Sequence, residues 1–185
     1  MLIILYSKGD VYMKILMITA DGYDDSEVLY PYFRLLEEGI RVDTASFEKG
    51  SVSGKYHFVI NADISFEEIN PEEYSGLMIP GGKAPEKIRQ NSAALKAVCY
   101  FMEKQLPVAA ICHGQQILIS AGVLNGRKCT CYPGIRDDLI NAGGVYVDQR
   151  VVVDGNLVTS RRPEDLPCFM REFVNMLDGR DVSQN

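Results

Sequence analysis

Cys112-His113-Gly114 follows directly on the apolar run Pro107-Val108-Ala109-Ala110-Ile111 and precedes the helical pattern Gln115-Gln116-Ile117-Leu118-Ile119. A cysteine on a sharp strand-to-helix turn is held in strained backbone above the end of a sheet, where it can act as a nucleophile. A helix N-terminus favours negative charge, so the spacing predicts a thiol that ionises more readily than a free one. The chain has two histidines, His57 and His113. His57 lies between aromatic residues in a β-prone stretch and is expected to be a surface or packing residue. No histidine follows His113, so a Cys–His pair must use the nucleophile's immediate neighbour. Neighbouring side chains at an elbow tend to diverge, and a third group is then needed to orient the imidazole. Glu86 is a candidate for that group, within the chain or across a subunit boundary.

The elements that must position these residues alternate along the chain. Strands are expected at 14–20, 41–46, 76–80, 107–111, near 127–131, near 144–153 and at 157–160. Helices are expected at 26–38, within 84–104, at 114–121, 134–141 and 164–177, and a hairpin or β-arm at 51–66. Strands separated by single helices imply one α/β domain with a mainly parallel sheet between two helical layers. Ligand sites in such sheets form beyond the carboxyl ends of the strands. That rule selects the segments 21–27, 81–86, 112–114 and 160–163. Asp25 and Ser26 are equally explained as caps of the first helix. Gly81-Gly82 offers either a tight turn or backbone N–H groups for an oxyanion hole. One of Arg161 and Arg162 is expected to be a solvated surface charge.

Composition narrows the function classes. The 185 residues suit a single domain, and the formal charge of −6 with no basic stripe argues against nucleic acid as a partner. Five cysteines without paired spacing point to a reducing, cytoplasmic setting rather than a disulfide framework. Cys129-Thr130-Cys131 is too closely spaced for a zinc site, and neither a metal nor an organic cofactor is expected. The apolar start Met1-Leu2-Ile3-Ile4-Leu5-Tyr6 is too short to span a membrane. Met13-Lys14-Ile15-Leu16 looks like a second beginning, so residues 1–12 are expected to be an extension and 13–185 the domain.

Ala110-Ile111-Cys112-His113-Gly114 together with Met78-Ile79-Pro80-Gly81-Gly82-Lys83-Ala84-Pro85-Glu86 resembles the ThiJ/PfpI superfamily, and within it the PfpI-type intracellular cysteine proteases. Matching stretches at 30–39, 45–50, 117–124, 132–138, 151–155 and 160–163 extend the resemblance over about 13–177. The resemblance implies a flavodoxin-like three-layer sandwich that assembles as dimers or trimers of dimers. It implies Cys112 as nucleophile, His113 as its proton partner and Glu86 as an orienter reaching in from a neighbouring subunit. It further implies Glu27 as the acid bonded to the thiol, with Gly82 and the His113 N–H forming the oxyanion hole. Two positions depart from the family's pattern: Gly22 stands where a carboxylate is frequent, and Gln115 where proline usually follows the glycine.

Members of that superfamily are described as peptidases, as glutathione-independent glyoxalases and as deglycases, all of which begin with a thiolate attacking a carbonyl carbon. Amide hydrolysis requires protonation of a poor leaving group, for which a badly aligned neighbouring histidine is a weak tool. Addition to an aldehyde-derived carbon needs only a thiolate, a proton relay and an oxyanion site. Carbonyl or protein-adduct chemistry is therefore the expected function. The alternatives are an intracellular peptidase and a redox-sensing stress protein that oxidises Cys112.

Overall fold

In the computed structural model, residues 13–179 are described; the expected extension at 1–12 lies outside them. The chain runs β1 (Lys14–Ile18), α1 (Asp25–Glu37), β2 (Arg41–Ser46), β3 (Gly50–Ser53), β4 (Val59–Ala62), β5 (Ile64–Ser65), β6 (Gly76–Ile79), α2 (Ala84–Ile88) and α3 (Ser92–Glu103). It continues through β7 (Val108–Ile111), α4 (Gln115–Ser120), β8 (Lys128–Cys129), α5 (Arg136–Asn141), β9 (Val145–Tyr146), β10 (Val151–Asp154), β11 (Leu157–Ser160) and α6 (Leu166–Leu177).

Seven strands form one sheet in the order β10-β11-β7-β6-β1-β2-β5, parallel except for β10, which pairs antiparallel with β11. The central strands β1, β6 and β7 read as nearly unbroken apolar runs because both of their faces are covered. Ile15 to Ile18, Leu77 to Ile79 and Val108 to Ile111 are all fully buried. α1 and α6 pack together, whereas α2, α3, α4 and α5 form a separate contacting group. The result is the mainly parallel three-layer α/β sandwich expected from the alternation.

Differences from the expected elements sit at the edges. The stretch 51–66 is a hairpin of β3 and β4, but its tail, β5, returns to the main sheet as a parallel partner of β2. The expected strand near 127–131 shrinks to Lys128–Cys129, which pairs with β9 outside the main sheet. Two-residue pairings of this kind carry too weak a period-2 signal to be delimited from sequence.

The carboxyl ends of β1, β6, β7 and β11 are adjacent in the sheet, so the loops after them meet above one edge. The hairpin arm adds a fifth wall. Its tip is tied to the first turn of α1, because the Asp25 carboxylate accepts the N–H groups of Tyr56 and Phe58, each at 2.9 Å. Gly54 is required there, since a Cβ would stand 2.5 Å from that carboxylate.

Candidate active site

Cys112 follows β7 with φ +61, the left-handed region that a side-chain-bearing residue adopts only when its surroundings enforce it. The enforcement is backbone bonding. Cys112 N–H donates to Ser160 O at 3.0 Å, Tyr132 N–H donates to Cys112 O at 3.1 Å, and Gly114 N–H closes the turn on Ile111 O at 2.8 Å. The thiol is held at the floor of a cavity of about 770 Å³ and is 8 % exposed, so it is far less open than the elbow alone predicts. The loops after β1 and β6 roof it.

His113 does not diverge from its neighbour. Its Nδ1 lies 3.3 Å from Cys112 Sγ, and its ring stacks on Tyr132 with centroids 4.6 Å apart and planes 26° apart. The expectation that adjacent side chains would splay is thus corrected at an elbow whose cysteine has φ +61. Burial and the nearby Lys55 charge lower the His113 pKa, against a smaller opposing pull from Glu86. The imidazole is accordingly neutral near pH 7, with Nδ1 close enough to the sulfur to receive the thiol proton. Glu86 lines the same cavity but makes no hydrogen bond to His113 within the described residues. Inside one chain, the ring is oriented by an aromatic face rather than a carboxylate.

Glu27, in the first turn of α1, is 0 % exposed. One carboxyl oxygen accepts Gly81 N–H at 2.8 Å, while the other has no hydrogen-bond partner. Burial, then the Asp24 charge, push its pKa up to about 8, against the Gly81 N–H and the thiol of Cys112. Burial raises the Cys112 pKa as well, and so does a Glu27 carboxylate. The predicted acidic thiol is therefore overturned at the level of this environment. α4 begins three residues after the cysteine. Two N–H groups, those of His113 and Gly82, favour the thiolate. Cys112 and Glu27 titrate as one unit, and a proton on Glu27 removes the charge that opposes the thiolate.

Gly81 and Gly82 make this packing possible. A Cβ on Gly81 would lie 2.5 Å from Glu27 Oε2 and 2.8 Å from Cys112 Cβ. On Gly82, at φ +84, it would lie 2.4 Å from Asp24 N. Gly81→Ala is expected to separate the acid from the thiol and to lower stability by about 2–3 kcal/mol; thermal melting together with Cys112 alkylation rates checks both effects.

The helix cap is neither Asp25 nor Ser26. Asp24 caps α1, accepting Ser26 N–H at 3.1 Å and Ser26 Oγ–H at 2.6 Å, and pairs with Lys55 at 2.6 Å. Asp25 is freed to hold the hairpin tip, which brings Lys55 and Tyr56 to the cavity rim. His57 is exposed at that tip. Arg161 is structural, bonded to Asp148 at 2.7 Å and Asp165 at 2.9 Å, whereas Arg162 lines the cavity. Gly22 does not line it. Its backbone N–H donates to Ser53 O and its carbonyl accepts from Lys83 N–H, tying the arm to the loop after β6 at a φ of +86 that glycine adopts freely. Sequence reasoning gave no role to Tyr132 or Lys55; Tyr132 stood only within the stretch 132–138 that carries the family resemblance.

Among the described residues no group of three or more metal-ligating side chains occurs, and no helix is long and apolar enough to cross a membrane. All five cysteines are free.

Comparison with known proteins agrees with this architecture. The family model described as DJ-1/PfpI family matches residues 13–176. Proteins of Pyrococcus horikoshii and Pyrococcus furiosus named as deglycases are each 54% identical over 165 residues, covering 89% of this chain and 99% of theirs. A solved two-domain protein from Anabaena variabilis, with DJ-1/ThiJ/PfpI-like and ferritin-like domains, superimposes with a TM-score of 0.89 at 33% identity. That match covers 94% of this chain and 50% of the Anabaena one. With the elbow, the sheet order and the matched length in agreement, this chain belongs to the DJ-1/PfpI family.

Proposed function

We propose that the chain is a Cys112-dependent deglycase that removes α-oxoaldehyde adducts from protein amino groups. The observation that carries this reading is the convergence at Cys112 Sγ of a neutral imidazole, a carboxyl group protonated up to about pH 8, and the N–H groups of Gly82 and His113. The names of the Pyrococcus relatives support the same chemistry.

His113 accepts the thiol proton. Sγ then forms a C–S bond at the aminocarbinol carbon as the C–N bond breaks and the amine departs with a proton. An aminocarbinol expels its amine more readily than an amide does, so the step asks less of the proton donor. The resulting hemithioacetal carries its oxygen toward the N–H groups of Gly82 and His113. Glu27 gives its proton to the departing amine, and the carboxylate so formed takes the proton from the carbon bonded to sulfur and returns it to the neighbouring carbon, giving a thioester. Water hydrolyses that thioester to a 2-hydroxy acid and restores the thiol. No external oxidant or reductant is consumed.

A cavity of about 770 Å³ greatly exceeds a three-carbon aldehyde and admits a side chain on a peptide. Rapid release of lactate and amine from a methylglyoxal-treated peptide, faster than lactate formation from free methylglyoxal, is the expected result. Cleavage of the peptide backbone without adduct removal, read by mass spectrometry, would instead favour the peptidase reading.

Self-association and a reducing, cytoplasmic setting belong to this reading. Phe33 and Leu36 of α1, Val59 of β4 and the preceding Phe58 are exposed, with Phe33 60 % accessible, and Phe33 and Phe58 line one groove. An apolar face of this kind fits a second copy, and a neighbouring copy's Glu86 would then supply the orienting carboxylate. Sedimentation at the single-chain mass would remove this part of the proposal.

A further inference from the structure

Gln115, the first residue of α4, is fully buried three positions after the nucleophile. Its Nε2 lies 3.0 Å from Ala110 O, 2.8 Å from Thr130 O and 3.0 Å from Ser160 O. These carbonyls belong to three separate segments: the end of β7, the extended chain after β8, and the end of β11. An amide nitrogen carries two hydrogens, here shared among three acceptors, while the amide oxygen has no partner. An unsatisfied buried oxygen is a cost that an apolar side chain of the same length would not incur.

The gathered segments are those that hold the elbow. Ser160 O, one acceptor of the Gln115 amide, also receives the Cys112 N–H. The Thr130 segment leads two residues on to Tyr132, whose N–H caps Cys112 O and whose ring stacks on His113. We propose that Gln115 is a positioning residue whose amide nitrogen, by clasping the Ala110, Thr130 and Ser160 carbonyls, fixes the backbone strain at Cys112 and keeps Tyr132 against His113. It acts through the elbow, and it touches neither the thiol nor a substrate. The inference rests on Cys112 being the nucleophile, and it concerns a position where this chain departs from its family's proline.

The test uses two variants of the full chain. Gln115→Met keeps the length and removes both donors. Gln115→Pro also removes them, and proline fits the first position of a helix, so folding is expected to survive. Cys112 alkylation by iodoacetamide, assigned by peptide mass spectrometry, is followed against pH, and kcat and KM are measured on the adduct-bearing peptide. Both variants are expected to lose about tenfold to a hundredfold in kcat with KM nearly unchanged, because a small misplacement of a reacting group costs that much. The pH profile of alkylation is expected to shift as the Sγ to Nδ1 contact loosens. Lower melting temperatures with wild-type kcat and a wild-type alkylation profile would reduce Gln115 to a filler and overturn the proposal.

Should neither variant fold, hydrogen exchange in the wild type decides. The Gln115 side-chain N–H groups are expected to exchange slowly and together with the Cys112 and Tyr132 amides, and free exchange of the side chain alone would overturn the proposal. Alkylation reads the positioning whatever the substrate is. A protein inactive on every adduct but with shifted variant profiles would therefore sink the deglycase reading and leave this one standing.

Discussion

Cys112→Ser is expected to lower adduct turnover by at least about 10³-fold while the fold survives. The substitution changes one atom, and the bonds that enforce φ +61 are all backbone: Cys112 N–H to Ser160 O, Tyr132 N–H to Cys112 O and Gly114 N–H to Ile111 O. The serine Oγ therefore occupies the same elbow. What it lacks is acidity and nucleophilicity. Burial beside Glu27 raises the thiol's pKa, but a thiol still passes its proton to a neutral imidazole 3.3 Å away far more readily than an alkanol, which holds its proton much more tightly. The measurement is lactate and amine release from a methylglyoxal-treated peptide, beside a melting curve. A serine variant that keeps a tenth of the wild-type rate would show that the chemistry does not run through this sulfur.

Glu27→Gln is expected to remove about 10²-fold or more of the rate and to change how both activity and stability depend on pH. The amide can still accept Gly81 N–H, so the 2.8 Å contact that seats the side chain is retained. It cannot carry a proton between the carbons of a bound hemithioacetal. In the wild type, kcat/KM is expected to fall above about pH 8 as the buried acid ionises, and this descending limb should vanish in the variant.

The same shift fixes a stability change. The Glu27 pKa is raised on folding from an ordinary carboxylate value to about 8, so between those values the folded chain binds a proton that the unfolded chain does not. Stability falls as pH rises through that window, by up to roughly 5 kcal/mol if the whole shift is realised. Glu27→Gln removes this slope, so the variant is expected to gain on the wild type at pH 8 relative to pH 5. Chemical denaturation at the two pH values checks the sign. Parallel pH dependences in the two proteins would mean that Glu27 is ionised in the folded state. The proton relay would then have to be placed elsewhere.

The elbow was legible in the sequence because its signal is local: an apolar run of strand length, a cysteine, a glycine and a helical period within a dozen residues. The alternation of strands and helices was legible for the same reason, and with it the rule that sites gather at the carboxyl ends of strands. Those two facts already bring the segments holding Glu27, Gly82, Cys112 and His113 to one edge of the sheet. Family resemblance added the roles proposed for them.

Everything that depends on which distant segments touch was decided by the tertiary structure. Asp25 and Ser26 were the capping candidates in sequence, and Asp24 beside them was passed over. Only the seating of the hairpin tip made Asp24 the cap and turned Asp25 to the N–H groups of Tyr56 and Phe58, more than thirty positions away. Tyr132 against His113 depends on how the short β8 segment is stitched to the elbow, and no periodicity encodes that. The thiol's acidity was misjudged because helix polarity is visible in sequence, whereas burial beside a second acid is not. Gln115 could be recognised as a departure, but its acceptors lie 5, 15 and 45 positions away. Periodicity and spacing report what a residue does within a few neighbours along the chain. Burial, charge coupling and the sharing of one donor among three strand ends arise only when the sheet order brings those ends together.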